Sequence, residues 1–304
     1  MHVSRHPMFY FLRKWFFQFR NISYVICQDF CIQLNIMKKL FVTTGIVFFT
    51  IATVNAQDRF FARTYTTNIL PKNAIDLELW HTSRLGHLDQ YYNAQDQRME
   101  IEVGLGKNWQ TAFYFNRYQM RFSESDQGTT TSNEIGFSNE WKWKASGPSR
   151  KLGVALYGEW GIKGGDEVEL ESKIILDRNF GKNLLAFNGV FEYEKEFEWD
   201  QGKMKSGEWE SPVELDLGYM YNVSTSFGVG FEMRNHNDIT TDGWEHSALF
   251  GGPTINYRGN NWFVIANYLP QWVNLHKTAS APGSKVLDEH ERTEVRILVG
   301  ISLR

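Results

Sequence analysis

Two polar side chains near residue 80 have the types and the spacing that hydrolytic chemistry requires. His81 and Ser83 are two positions apart, so they share one face of an extended strand, where the imidazole could activate the hydroxyl as a nucleophile. Glu291 precedes Val295 by four residues and could supply the acid if the first and last strands were neighbours. The three side chains could then act on a lipid, although histidines and serines at such a rim also simply bind water or headgroups.

A second polar group lies in one predicted connection. His236, Asn237, Asp238, Asp242 and His246 include two imidazoles and two carboxylates, which are common ligands of divalent metal ions. A solvated polar loop explains the same composition. We therefore predict neither a metal site nor a cofactor.

The residues around these candidates are apolar at every second position, which is the pattern of strands and not of helices. Ile75, Leu77 and Leu79 begin the pattern, and residues 295–303 end it. We predict about twelve strands (10 to 14 at the limits) of roughly 9 to 14 residues, longer than the ~5 to 6 residues usual in globular sheets. The faces are ambiguous, because both are apolar, in three segments: 110–122, 246–257 and 261–270.

Charged side chains occupy the other face of these strands. In a sandwich of two sheets they would form the solvent surface, whereas in a transmembrane barrel they would line the lumen while the apolar face contacts lipid. The predicted lumen-lining residues are Asp76, Glu78, Glu100, Glu102, Glu134, Glu140, Lys142, Glu169, Glu171, Lys173, Glu192, Glu194, Glu214, Asp216, Glu232, Arg234, Glu294 and Arg296.

The lengths of the connections favour the barrel. Even-numbered connections are short turns such as 106–108, and most odd-numbered ones are long and polar. Outer-membrane barrels have this alternation, with short periplasmic turns and longer outer loops, and a sandwich gives no reason for it. The predicted long connections are 85–97, 123–131, 199–208, 235–245 and 271–290. The sequence therefore predicts an all-β protein, a closed antiparallel transmembrane β-barrel with both termini on the periplasmic side.

Aromatic residues cluster at the predicted strand ends. Outer-membrane barrels carry aromatic girdles at the membrane interface, although any strand favours aromatic side chains. We predict these interface residues: Trp80, Trp141, Trp143, Trp160, Tyr219, Tyr221, Trp262 and Trp272.

A targeting segment precedes the strands. Residues 37–56 combine two lysines, an apolar stretch and a small residue before a predicted cleavage after Ala56, as in a secretory signal peptide. Residues 1–36 lie upstream of it, either because Met37 is the true initiator or because the basic leader is extended. Both cysteines fall in this upstream part as a single pair, which gives no zinc site.

Residues 57–304 form one predicted domain of acidic character. Removing the six basic residues and the single acidic residue of 1–56 leaves 26 basic and 34 acidic residues, a net charge of −8. No basic patch with interleaved aromatic residues occurs in this part of the sequence. Nucleic acid is therefore excluded as a partner.

The sequence resembles an uncharacterised, porin-like family of bacterial outer-membrane β-barrel proteins with no established activity. The resemblance covers residues 57–304 and rests on the signal peptide, the alternating strands, the opening FFARTYTTNILPKNAIDLELWHTSRLG and the closing EVRILVGISLR. It implies location in the outer membrane, contact with outer-membrane lipid and insertion by the barrel-insertion machinery. The final Leu303-Arg304 departs from the aromatic end that many such barrels present to that machinery.

Three functions stay open at this point. A barrel of twelve strands is wider than the eight-stranded type that side chains can fill and narrower than porins of 16 to 18 strands, so we expect a thin or partly blocked lumen. The acidic excess favours a narrow passive channel for small cationic or zwitterionic solutes, unless the charges simply neutralise one another and fill the interior. The alternatives are a lipid hydrolase with the rim site of His81, Ser83 and Glu291, and a structural or adhesion barrel.

Overall fold

The computed structural model describes residues 59–88, 91–124, 128–145, 152–200 and 203–303. The predicted upstream extension, signal peptide and cleavage site lie outside these residues. Within the described ranges, no helix is long and apolar enough to cross a membrane.

The described chain is built from antiparallel strands that join in one sheet. The strands are β1 (Ile75–Leu85), β2 (Tyr92–Gly106), β3 (Trp109–Glu124), β4 (Gly128–Lys144), β5 (Gly153–Lys163), β6 (Glu167–Phe180), β7 (Asn183–Asp200), β8 (Lys203–Glu210), β9 (Val213–Asn222), β10 (Phe227–Thr240), β11 (Gly243–Arg258), β12 (Trp262–Asn274) and β13 (Thr293–Ser302).

The sheet closes on itself because β1 pairs with β13, from Asp76 opposite Ser302 to Leu85 opposite Thr293. Every other strand pairs with its neighbours along the chain, apart from β8 and β9, which share one position in the ring. Strand β9 pairs with the first half of β7, and β8 pairs with its second half. The prediction of a closed antiparallel barrel of about twelve strands is therefore confirmed.

Pro212 marks the break between β8 and β9. Proline has no backbone N–H and cannot donate to a neighbouring strand. Its carbonyl still accepts the N–H of Glu192 at 3.0 Å, and Ser211 N donates to the carbonyl of Ile239 at 2.8 Å. These bonds join both neighbouring strands across the break.

The two ends of the barrel have different connections. The end that carries both barrel termini, here called the terminal end, has the connections 107–108, 145–152, 181–182, 223–226 and 259–261. The opposite end, here called the loop end, has the connections 86–91, 125–127, 164–166, 201–202, 241–242 and 275–292. The prediction of long loops at this end is wrong for all but the last connection. The polar residues that were predicted to form loops instead continue the strands as paired hairpins. Apolar residues no longer alternate with polar ones in these parts of the strands, because neither face needs to be apolar at the loop end.

The outer surface of the barrel is apolar. Leu79, Ile135 and Ile174 are 51%, 76% and 55% exposed, and large apolar side chains face outwards on strands all round the barrel. Such a continuous apolar surface far exceeds the patches found on soluble monomers. It is the surface that a transmembrane barrel presents to lipid.

Residues 59–74, here called the inner segment, lie inside the barrel. Phe61, Ala62 and Leu70 are at most 1% exposed. The ring of Phe61 packs against Leu184, Ala186 and Met220 from the inner faces of β7 and β9. Residues 59–74 do not alternate regularly between apolar and polar residues, so no periodic pattern predicts a segment in the lumen.

Two glycines allow the inner segment to approach the barrel wall. A Cβ atom on Gly104 would lie 2.0 Å from the carbonyl oxygen of Pro71, and a Cβ atom on Gly218 would lie 2.9 Å from the ring of Phe61. Any larger residue would therefore collide with the segment. The N–H of Asn73 donates to the carbonyl of Gly104 at 2.8 Å, which ties the segment to β2.

The β12–β13 connection, residues 275–292, also folds inwards. Ala281 and Val286 are buried with Phe250 and Leu269 in a cluster on the inner faces of β11 and β12. The side chain of Gln271 accepts the N–H of Val286 at 2.7 Å and donates to its carbonyl at 2.9 Å. This packing, together with that of Ala62 against Phe263 and Ile265, explains why apolar residues also occur on the inner faces of the segments 246–257 and 261–270.

Enlarging Gly218 should displace the inner segment. We expect Gly218→Val to destabilise the folded barrel by about 1–3 kcal/mol, because the new methyl groups overlap the ring of Phe61. Urea unfolding followed by tryptophan fluorescence would measure this. The matched control is Gly189→Val on the outer face of β7, where the nearest neighbouring atom is 3.9 Å from the added Cβ. Equal losses for both variants would contradict the described packing.

Candidate functional site

The inner segment is held by ion pairs inside the barrel, and Arg59 forms the first of them. Its guanidinium lies 3.4 Å from Glu78 and 3.5 Å from Glu100. The same group lies over the rings of Tyr65 and Trp80, at 3.9 and 4.5 Å from the ring centres. Arg59 is 3% exposed, so it balances carboxylates that are themselves cut off from water.

Arg63 forms the second anchor, and it links strands that are not neighbours in the barrel. Its Nη2 lies 2.9 Å from Glu214 on β9, and its Nη1 lies 3.1 Å from Glu294 on β13. The backbone N–H groups of Arg63 and Thr64 both donate to Glu232 on β10, at 2.8 and 2.9 Å. The side chain of Arg63 thus contacts β9 and β13, while the neighbouring backbone contacts β10.

Three further backbone N–H groups of the segment donate to side chains of the wall. Tyr65 N donates to Asn188 at 2.6 Å, Thr67 N to Asp177 at 2.7 Å, and Leu70 N to Gln110 at 2.8 Å. Buried backbone N–H groups need acceptors, and a segment without a strand partner must take them from side chains.

A cavity of about 660 Å³ lies between the inner segment and the loop end. Arg63 and Tyr65 of the inner segment line it, and so do His290 and Glu291 of the β12–β13 connection. Most of the other lining residues are polar or charged and come from the barrel wall. The cavity is therefore a hydrated space between two elements that fold into the lumen.

One wall of the cavity is strongly acidic. Glu169 on β6 stands opposite Glu194 on β7, and Glu171 stands opposite Glu192. Carboxylates in directly opposed positions repel each other, so packing alone does not explain the arrangement. Lys163 and Lys173 neutralise part of this charge through salt bridges with β6. The acidic residues of this wall are Glu167, Glu169, Glu171, Glu192, Glu194, Glu196 and Glu210.

The facing wall, formed by β13, β1 and β2, carries arginines. Arg84, Arg98 and Arg296 all line the cavity. Arg84 pairs with Asp96 at 3.0 Å, and Arg296 lies 3.9 Å from Glu294 and donates to the hydroxyl of Thr82 at 2.8 Å. Arg98 donates to a neutral amide at 2.9 Å. Strands β1 and β7 occupy opposite positions in a ring of twelve. The cavity thus has a strongly acidic wall and, facing it, a wall whose arginines offset its carboxylates, and this difference sets up a field across the lumen.

Three histidines meet near the loop end. The ring centre of His290 lies 4.6 Å from that of His236 on β10 and 4.8 Å from that of His246 on β11. His236 Nδ1 lies 2.6 Å from Glu214 Oε1, and the Nε2 atoms of His246 and His290 are 2.8 Å apart. Burial, together with the neighbouring His236 and Arg234, lowers the pKa of His290 well below its usual range, so its ring is neutral at pH 7.

All predicted lumen-lining residues face the interior of the barrel. Those that line the cavity are Glu134, Glu169, Glu171, Lys173, Glu192, Glu194, Glu214, Asp216, Arg234, Glu294 and Arg296. The others lie buried in the wall outside the cavity: Asp76, Glu78, Glu100, Glu102, Glu140, Lys142 and Glu232.

The predicted hydrolytic trio is not assembled. His81 Nε2 lies 3.1 Å from Ser83 Oγ, and both side chains have the outward orientation of Leu79. Glu291, by contrast, points into the lumen, where its carboxylate lies 3.5 Å from Arg234. The prediction of a shared face fails because Glu291 precedes β13 and belongs to the connection that folds inwards.

The structure places the predicted interface aromatics in three environments. Trp141, Trp160, Tyr219, Tyr221 and Trp272 are between 40% and 46% exposed on the outer surface, and Trp143 and Trp262 are half-buried. Trp80 is 6% exposed inside the lumen, so its assignment to the interface is wrong. It follows the parity of Asp76 and Glu78, and Arg59 and Arg296 lie over its ring.

The sequence pattern does not predict which residues fill and divide the lumen. Arg59 and Arg63 precede the first strand, four residues apart, and no periodic pattern links them to the carboxylates that they contact. His290 is separated from His246 by 43 residues, so no local motif joins them. The only hint of this site in the sequence was the group of His236, Asp238 and His246. These residues were predicted to lie in a loop, but they lie on strands β10 and β11.

Residues 53–303 match the profile of the Family of unknown function (DUF6662). The chain belongs to this family. The predicted resemblance to an uncharacterised porin-like barrel family is therefore confirmed. Curated protein sequences gave no match.

Solved structures share the architecture of this DUF6662 protein. An outer membrane channel from Pseudomonas putida F1 has a TM-score of 0.56 at 8% identity, covering 77% of this chain and 97% of that one. The translocator domain of the autotransporter NalP from Neisseria meningitidis has a TM-score of 0.51 at 12% identity, covering 75% and 87%. The beta domain of the Bordetella autotransporter BrkA has a TM-score of 0.52 at 7% identity, covering 77% and 100%. At these identities the similarity shows the fold alone.

Removing the charge of Arg63 should release the inner segment. Arg63→Gln leaves Glu214 and Glu294 without their nearest cation from the segment, and breaking a buried ion pair in this way costs about 3–5 kcal/mol. We expect brief proteinase K treatment in detergent to cleave within residues 59–74 in this variant and to spare the wild type, with mass spectrometry locating the cuts. Arg121→Gln, on the exposed part of β3, is the control. Identical cleavage of all three proteins would refute the anchoring role.

Proposed function

We propose that this protein is an outer-membrane channel that admits small cationic or zwitterionic solutes. Its continuous apolar outer surface, with Trp160 and Trp272 exposed towards the loop end and Tyr219 and Tyr221 towards the terminal end, fits a membrane with two interfaces. The polar cavity of about 660 Å³ is large enough for a small hydrated solute.

The two charged walls carry the proposal about the solute. A cation gains electrostatic energy beside Glu192 and Glu194, and the net negative charge of the cavity raises its local concentration. A zwitterion gains more, because its carboxylate can lie beside Arg84 or Arg296 while its amino group lies beside the glutamates. A simple anion meets the acidic wall and is disfavoured.

The inner segment would control passage at the terminal end. Phe61, Ala62 and Leu70 fill the lumen there together with Arg59 and Arg63. A solute in the cavity can therefore leave towards the periplasm only when the segment shifts. We infer a low conductance for the described state and a higher one when the anchoring ion pairs are removed.

Planar-bilayer recordings of the purified full chain test the proposed selectivity. We expect single-channel steps that favour potassium over chloride, and the double variant Glu192→Gln/Glu194→Gln should lower this permeability ratio about twofold or more, because it neutralises the acidic wall. Asp242→Asn, in the short turn 241–242 outside the cavity, is the matched control. Anion selectivity of the wild type, or an unchanged ratio in the double variant, would overturn the proposed solute class.

A second recording tests the role of the inner segment. The variant Arg59→Gln/Arg63→Gln should show larger or more frequent openings than the wild type, since the segment loses both of its charged anchors. Circular dichroism and the mobility shift of unheated protein on gels would verify that the barrel is still folded. A folded variant that remains silent would favour a filled structural barrel over a channel.

A further inference from the structure

The three histidines at the loop end form a group that has no role in the proposed charge selectivity. His236 lies on β10, His246 on β11 and His290 on the β12–β13 connection, so three separate elements bring them together. His236 and His290 line the cavity, where an ion can reach them. His246 is 1% exposed, so its ring is largely removed from water.

The contact between His246 and His290 requires that at least one of the two facing nitrogens is unprotonated. Their Nε2 atoms are 2.8 Å apart, a distance at which two N–H groups would repel each other. One Nε2–H therefore donates a hydrogen bond to the unprotonated Nε2 of the other ring. An unprotonated ring nitrogen is the group that binds zinc, copper or nickel, and the donating ring offers one as well when its hydrogen moves to Nδ1.

His236 has the partner that is typical of a metal ligand. Its Nδ1 lies 2.6 Å from the carboxylate of Glu214 and 3.1 Å from Arg234 Nη2, and these contacts fix the ring orientation and leave Nε2 as the available nitrogen. When Nδ1–H donates a hydrogen bond to a carboxylate in this way, the opposite nitrogen becomes a more basic ligand for a metal ion.

Asp238 supplies an acidic oxygen to the same group. Its Oδ2 lies 4.0 Å from His246 Nε2. Its Oδ1 is buried and has no hydrogen-bond partner among the residues that the structure describes. A carboxylate in this position would offset part of the charge of a bound cation, as it does in many zinc sites.

We propose that these residues form a binding site for one divalent transition-metal ion, with His246 and His290 as primary ligands. Zinc–nitrogen bonds of about 2.0–2.1 Å in a tetrahedron place two ligand nitrogens about 3.3 Å apart, so the two rings must separate by about 0.5 Å. His236 and Asp238 would complete the site once their side chains turn towards the ion. Because His290 belongs to the β12–β13 connection, the ion would tie that connection to β10 and β11.

Zinc and copper binding to the purified full chain tests the site. The chain should carry an affinity tag without histidine, be stripped with EDTA in detergent, and then be titrated with Zn²⁺ by calorimetry. We expect one ion per chain, and His246→Ala/His290→Ala should weaken binding by about 100-fold or more, because loss of supporting groups alone costs about 10–100-fold. The control is His87→Ala/His276→Ala, which removes two other histidines of the loop end and should leave binding unchanged.

Electron paramagnetic resonance of the Cu²⁺ form identifies the ligands directly. Hyperfine coupling to at least two nitrogens in the wild type, lost in His246→Ala/His290→Ala, would support the site. If that variant does not fold on gels, His290→Asn replaces it, since His290 lies in a connection and not in the barrel wall. Absence of stoichiometric binding by the wild type, or equal binding by the folded variants, overturns the proposal whether or not the protein conducts ions.

Discussion

Pairing of β1 with β13 is the constraint on which the rest of the structure depends. Backbone N–H and C=O groups have no water to bind inside a membrane, so a sheet can cross it only when its two edges meet. Closure then sends alternate side chains outwards and inwards. The apolar surface and the charged lumen are thus two consequences of one hydrogen-bonding requirement.

The charged lumen creates a second requirement, because carboxylates removed from water need cations or hydrogen-bond donors. The inner segment provides both. Arg59 and Arg63 supply the positive charge, and the backbone N–H groups of Arg63 and Thr64 supply donors to Glu232. The segment needs no strand partner because the wall offers side-chain acceptors along its path. The same contacts that stabilise the barrel therefore also narrow its lumen at one end.

Shared architecture says little about what passes through this lumen. Channels and autotransporter domains both have folds similar to this one, so the function must be argued from the interior. There the charge is uneven: opposed glutamates of β6 and β7 face the arginines of β1, β2 and β13, and a group of histidines lies near the loop end. Repulsion within the acidic wall lowers the stability of the protein. Such a destabilising cluster is expected where a bound solute or ion neutralises part of the charge.

The sequence by itself determined the strands and, for most residues, the side of the barrel. Period-two alternation predicts a lipid face and a lumen face because neighbouring side chains of a strand must point in opposite directions. The same rule fails for Glu291, which lies outside a strand. For Trp80 the parity was right, and the assignment to an aromatic girdle at the strand ends was wrong. The paths of residues 59–74 and 275–292, and the meeting of His236, His246 and His290, depended on tertiary structure alone. Contacts between residues distant in the chain leave no periodic pattern, since only the closed barrel brings their partners within reach.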